Sequence, residues 1–187
     1  IQDTGFAAYL GGYSRLVVDL NRDIDDAAVI PLQSDGVTVP GNNLAPLEIE
    51  ARHERFHKPY HDHLAALLST HRPALILSLH SFTLALESKP QEVRPWEVGV
   101  LYNEQESASK LAIPFLEEAG YCVGDQLPYS GKLLNATMNR HAEAHDIPYV
   151  GIEMRQDLSN NPNGQARYAR TLAEMCHFVS EQLGLLL

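Results

Sequence analysis

Apolar and polar positions along this chain follow two different periods, and the period changes often. Residues 5–11 read as the end of a helix, and residues 14–20 (SRLVVDL) as a β-branched strand that stops at the polar cluster Asn21-Arg22-Asp23. Residues 24–44 are rich in Asp, Pro and Gly, the composition of a long loop. A helical pattern occupies 46–70, where Pro59 is expected to kink or split the helix because proline lacks the N–H that continues the ladder. Residues 74–82 (ALILSLHSF) form a nearly continuous apolar run, as expected of a buried strand. A proline-containing loop then leads to a strand over 97–102, a helix over 105–119 kinked at Pro114, and a short strand at 121–123. Beyond a turn at Ser130-Gly131 the pattern predicts a helix over 133–145, a buried strand over 148–154 (PYVGIEM) and a closing helix over 163–183.

Strands alternating with helices predict an α/β layered fold around a mostly parallel sheet. The 187 residues suit a single domain. In such sheets ligands bind beyond the carboxyl ends of the strands. Three strand ends here are polar and chemically capable: Asn21-Arg22, His80-Ser81 and Glu153-Met154-Arg155.

Composition mainly excludes. A 44% hydrophobic fraction with 20% charged residues, mixed rather than blocked, describes a globular chain and not a disordered one. The net charge of −10 argues against a nucleic-acid partner, which wants a basic face, yet a local group of arginines can still hold a small carboxylate. No apolar run approaches the ~18 residues of a membrane span. Cys122 and Cys176 lie far apart without metal-site spacing and are expected as free, buried thiols in a reducing cytoplasm. The chain opens at Ile1 rather than Met, so an upstream segment is expected to have been removed or left out.

His80 ends a buried strand, where an imidazole can reach a cleft and ligate zinc; the plainer alternative is a core histidine hydrogen-bonded to backbone. Glu153 stands in an otherwise apolar strand, where an ionised carboxylate is costly without partners. Alternation puts Glu153 and Arg155 on one face, so either the two pair with each other or Glu153 is a general base. Arg22 can clamp a carboxylate with its planar fork, or it can pair with Asp23 or Asp25 on the surface. Residues 53–57 (HERFH) fit the H-E-x-x-H pattern of zinc proteases. Pro59 follows within two residues, and His61 and His63 make a chance match easier, so this segment is expected to be an exposed, His-rich helix face.

Taken in order, these pieces resemble the N-formylglutamate amidohydrolase family. The resemblance rests on SRLVVDLNR (14–22), SDG and PGN in the next loop (34–36, 40–42), Tyr60-His61, SLHSF (78–82), YSG (129–131) and GIEMRQDL (151–158), with Asp3-Thr4-Gly5 before them. More distantly, SLHSF, GIEMRQD and Asn21-Arg22 are similar to the zinc-ligand strand, general-base strand and carboxylate-binding pair of zinc carboxypeptidases. The resemblance implies a three-layer αβα sandwich with a mixed, mostly parallel sheet, of the phosphorylase/hydrolase or zinc-exopeptidase type. It further implies a cytoplasmic zinc-dependent amidohydrolase of histidine degradation, splitting N-formyl-L-glutamate into formate and L-glutamate.

In that reading His80 ligates the metal, Glu153 is the general base, and Tyr129 closes over the substrate. Asn21 and Arg22 hold a substrate carboxylate, and Arg155 or Arg15 either serves a second one or holds Glu153 in place. The chain departs from the family in two places. The family's other zinc ligands, a His and a Glu, precede the position of Asp3, and Leu84 stands where the family often has Pro. Two further readings follow: a carboxypeptidase or deacylase acting on another N-acyl amino acid, and a metal-free descendant that binds such a ligand or a protein.

Overall fold

The structure, a computed structural model, describes residues 6–185. Asp3-Thr4-Gly5 lies outside the described residues. The chain divides into two compact units, one of residues 9–72 and one of residues 73–185 together with 6–8.

In the unit of residues 9–72, the predicted first strand is absent. Residues 14–20 turn instead: the Ser14 carbonyl accepts the N–H of Val17 at 2.9 Å, and Asp19 N–H reaches the Val29 carbonyl at 2.7 Å. Side chains satisfy what a strand neighbour would have satisfied. Asn42 Nδ2 donates to the carbonyls of Leu16 (2.7 Å) and Pro31 (2.8 Å), and Arg52 Nη1 donates to the Val17 carbonyl at 3.0 Å. The apolar pattern there reflects burial of Val18 against Val29 and Ile30, not strand pairing. Residues 6–13 likewise hold no helix. The loop over 24–44 contains a short hairpin, β1 (Gln33–Ser34) paired antiparallel with β2 (Val37–Thr38), whose turn places Asp35 and Gly36 at positive φ.

The helical stretch is split as Pro59 implies. Helix α1 (Pro46–Arg52) runs into a π-helical turn over His53–His57, and α2 (Lys58–Thr70) follows. Proline offers no N–H to the carbonyl four residues earlier and its ring crowds that carbonyl. The helix widens just before it, with Lys58 N–H bonded to the His53 carbonyl, five residues back.

In the other unit a four-stranded sheet has the order β3-β6-β4-β5, with β3 (Ile76–Phe82), β4 (Val98–Leu101), β5 (Val123–Asp125) and β6 (Tyr149–Arg155). The pairs β3–β6 and β4–β5 are parallel and β4–β6 is antiparallel, so the sheet is mixed and mostly parallel. Alternation sorts the side chains. Val150, Ile152 and Met154 of β6 join Val98 and Val100 in a core closed by helices α3 (Ser107–Glu118) and α6 (Pro162–Gln182). On the opposite face Tyr149 and Ile76 pack against Met138 and Ala142, from α4 (Ala136–His141) and the residue after it. Helices on both faces of the sheet make the three-layer α/β arrangement.

Four details differ from the sequence reading. Strand β3 is half-buried rather than buried, because it is the edge strand of this sheet. The strand predicted over 121–123 lies later, at Val123–Asp125. A four-residue helix α5 (Gln156–Ser159) follows β6 directly. Both cysteines are free, but Cys122 is exposed and only Cys176 is buried.

Candidate active site at the strand ends

Strands β3 and β6 run parallel in a register that makes His80 and Glu153 direct neighbours. Paired positions on adjacent strands project their side chains to the same face. For this pair it is the face opposite the α3–α6 core. The fully buried Val150 and Ile152 anchor β6 from that core, each contributing about 1.5–3 kcal/mol by burial. That is at least comparable with the roughly 1–3 kcal/mol that a desolvated polar group costs, so the strand can hold Glu153 in place at 9% exposure. Ser78, two residues before His80 and on the same face, sets its hydroxyl 3.2 Å from His80 Nε2.

On the other side of Glu153 the sheet narrows to a glycine. Gly99 of β4 is paired with Glu153. A Cβ at residue 99 would stand 2.5 Å from the Leu127 carbonyl oxygen and 3.3 Å from both Glu153 Cβ and Pro128 Cδ. The missing side chain therefore lets the segment 127–129 cross the sheet face beside the carboxylate. Gln126 ties that segment down: its N–H donates to the Val100 carbonyl (2.9 Å), its Nε2 to the Tyr102 carbonyl (2.7 Å), and its Oε1 accepts Gly131 N–H (2.8 Å). Tyr129 follows Pro128 directly and is half-buried. Its hydroxyl accepts a hydrogen bond from Arg94 Nη1 at 3.2 Å, and the Arg94 guanidinium carbon lies 5.3 Å from the centre of its ring.

Arg155 shares the face of Glu153, but its guanidinium goes elsewhere. Nε donates to Asp157 Oδ1 at 2.8 Å, and Nη1 donates to the carbonyls of Pro95 (3.1 Å) and Trp96 (3.3 Å). It staples the end of the β3–β4 loop to the end of β6.

Arg15, Asn21 and Arg22 share one turn of the other unit, organised by buried Asp19. One carboxylate oxygen of Asp19 accepts Asn21 N–H (3.1 Å); the other takes Arg15 Nη2 (2.8 Å) and lies 3.5 Å from Arg22 Nε. Arg22 Nη1 pairs with Asp26 at 2.7 Å. The Ala28 N–H and then the Arg22 guanidinium hold the Asp26 carboxyl below its usual range. Arg22 thus pairs with Asp19 and Asp26, not with the Asp23 or Asp25 that its sequence neighbourhood suggested.

The His-rich segment is also rearranged. His53, His57 and His61 are buried at 6%, 1% and 4% exposure, and only His63 is exposed, so this is not an exposed histidine face. Their rings follow one another along the helical stretch, tilted by 55° and 49°, at centroid separations of 6.1 and 4.5 Å. His57 Nε2 lies 3.0 Å from the Arg22 carbonyl. A carbonyl only accepts, so Nε2 carries the proton of that ring. Glu54, the acid of the H-E-x-x-H pattern, points outward to Lys58.

His80 and Glu153 are two donors. Among the described residues no group of three His, Cys, Asp or Glu residues is placed to hold a metal ion. A catalytic zinc takes three protein ligands, so the described residues do not by themselves compose such a site. A concavity lined by Glu104, Glu106, Glu143 and Asp146 lies at the far end of β6 from Glu153. Glu143 is occupied there, accepting from the Tyr149 hydroxyl (2.7 Å) and from the N–H groups of Glu104 and Gln105 (both 3.3 Å).

Arg94, Gly99 and Asp19 were not picked out from the sequence. Gly99, between two valines in a strand, was the readable signal, since a strand glycine often marks a close backbone approach. Arg94 sits in a proline-flanked loop and gave none.

The chain matches the model of the N-formylglutamate amidohydrolase family over residues 1–159. Among solved structures it is similar to the gene product Atu2144 from Agrobacterium tumefaciens, with 27% identity and a TM-score of 0.85, covering 92% of this chain and 69% of that one. It is also similar to an N-formylglutamate amidohydrolase from Ralstonia eutropha JMP134, with 20% identity and a TM-score of 0.63, covering 90% of this chain and 73% of that one. The second likeness bears on the fold alone. No curated protein sequence matches the chain.

Proposed function

The chain belongs to the N-formylglutamate amidohydrolase family, and on that premise we propose that it hydrolyses the amide bond of an N-acylated amino acid, N-formyl-L-glutamate first of all, to formate and L-glutamate. The observation that carries this reading is the pairing of His80 with Glu153 across β3 and β6, at the end of the sheet where Tyr129 is also held.

Glu153 takes a proton from the attacking water. The water oxygen bonds to the formyl carbon, and the C–N bond breaks as Glu153 returns the proton to the departing amine. Tyr129, oriented by Arg94, donates its hydroxyl proton as a hydrogen bond to the substrate. Arg22, with Asn21 beside it, binds a substrate carboxylate. Arg155 serves this site by holding Pro95 and Trp96 in place, while Arg15 pairs with Asp19 beside Arg22. A divalent cation, zinc in the first instance, belongs to the proposal, with His80 as a ligand.

Two variants measured side by side test it. Glu153→Gln is expected to lower kcat by about 10²–10⁴-fold while its metal content stays that of the wild type. His80→Ala is expected to lose both turnover and bound metal. Wild-type turnover in Glu153→Gln sinks the general-base role, and undiminished metal content in His80→Ala sinks the ligand role.

A further inference from the structure

Four of the ten arginines in this chain are matched to acids. Arg15 and Arg22 meet Asp19, Arg22 also meets Asp26, Arg155 meets Asp157, and Arg167 lies 3.9 Å from Glu97. That is expected where 24 acidic residues face 14 basic ones. Arg94 differs. Like Arg52, it is half-buried and among the described residues pairs with no carboxylate, but Arg52 spends both Nη1 and Nη2 on the Val17 and Gly41 carbonyls and on Asn42 Oδ1. All its side-chain hydrogen bonds leave from one nitrogen: Nη1 donates to the Thr83 carbonyl (3.3 Å), the Thr83 hydroxyl (3.4 Å) and the Tyr129 hydroxyl (3.2 Å). Its backbone is fixed as well, with Arg94 N–H donating to the Leu84 carbonyl at 2.8 Å and the next two carbonyls held by Arg155.

A guanidinium anchored through Nη1 keeps its Nε–H and one Nη2–H parallel and available. That edge is one with which arginine takes a carboxylate in two parallel hydrogen bonds. It belongs to a side chain bound both to Thr83, three residues beyond His80, and to Tyr129, whose neighbour Pro128 borders Gly99 and Glu153. We propose that Arg94 recognises the second carboxylate of a dicarboxylic substrate through its Nε–Nη2 edge, and so sets specificity for an acidic over a neutral amino-acid side chain. This deepens the proposed function and rests on it for the identity of the reaction. The arginine itself is assigned from its own contacts.

Two measurements test it. In kinetics, Arg94→Ala is expected to raise KM for N-formyl-L-glutamate about tenfold or more, the loss of a charge-assisted pair. Because Arg94 also donates to the Tyr129 hydroxyl, kcat is expected to fall by a similar factor on both substrates, whereas KM for N-formyl-L-glutamine should stay nearly unchanged. Arg94→Lys should recover part of the loss. In binding, Trp96 is the single tryptophan and lies two residues from Arg94, so glutarate is titrated by its fluorescence, with calorimetry in parallel. Glutarate should bind wild type saturably and Arg94→Ala at least about tenfold more weakly, with butyrate little affected. Thermal melts confirm that both variants are folded.

Equal effects on KM for the glutamate and glutamine substrates overturn the proposal. So does glutarate binding that ignores Arg94, or no glutarate binding to the wild type by either method. If the wild type fails to cleave N-formyl-L-glutamate while glutarate binding still depends on Arg94, the proposed reaction falls and the carboxylate site stands.

Discussion

Arg22, proposed above as a carboxylate clamp, is a guanidinium ordered by its neighbours. Asp26 at 2.7 Å and Asp19 at 3.5 Å already aim the guanidinium, and His57 fixes the backbone carbonyl of the same residue. An arginine ordered in advance loses less side-chain entropy on binding, so more of each new hydrogen bond survives as affinity. In the proposed role, a substrate carboxylate would share the guanidinium with Asp26. Arg22→Ala is therefore expected to raise KM for N-formyl-L-glutamate by about tenfold or more. The effect on an N-formyl amine without carboxylates should be smaller. Steady-state kinetics on the two substrates decide, and equal losses on both would remove the clamp role.

At the scale of elements, the site depends on how closely the segment 127–129 crosses β4. Gly99→Ala places a methyl group 2.5 Å from a backbone oxygen that no rotamer change can move away. Overpacking of this kind costs about 1–3 kcal/mol, or roughly 2–10 °C in the midpoint of a domain this size. A melt followed by circular dichroism should show the loss. Because Glu153 Cβ and Pro128 Cδ border the same space, turnover should fall further than stability alone explains. An unchanged midpoint with unchanged turnover would mean that the segment yields freely.

The same elements show what was legible in the sequence. Strands β3 and β6 could be read because their apolar runs are long and each ends in a polar cluster. Residues 14–20 misled because Val18 is buried by a turn that Asn42 and Arg52 hold from 26 and 35 residues away. The split helix was readable from Pro59. The inward turn of His53, His57 and His61 was not, since polar residues on a helix face ordinarily mark solvent. His80, Glu153 and Tyr129 could be placed by motif and order, whereas Arg94 reaches Tyr129 across 35 positions through contacts that leave no local pattern.

For the molecule as a whole, buried histidines tie stability to pH. His53 of the unit 9–72 and His141 of the other unit are each held below the ordinary value of 6.5. Burial is the leading cause for both. For His53 the charge of His57 acts the same way, followed by Lys58, while Glu50 and Glu54 oppose it. For His141, Arg140 and His145 add to the burial. A folded pKa below the unfolded one means that the unfolded chain binds protons first as pH falls. The stabilising difference is fully present above about 6.5 and is lost as pH drops from there toward the depressed folded values. The lowered Asp26 carboxyl acts in a separate window, since its contribution is lost only as pH falls below its ordinary 3.8. Melting midpoints are thus expected to decline between pH 7 and pH 5, before any carboxylate effect from Asp26 begins. Replacing His53 and His141 together by Gln should flatten that decline, even if it also lowers the midpoint at pH 7.5. A double variant with the same acid slope as the wild type would assign the decline to other groups.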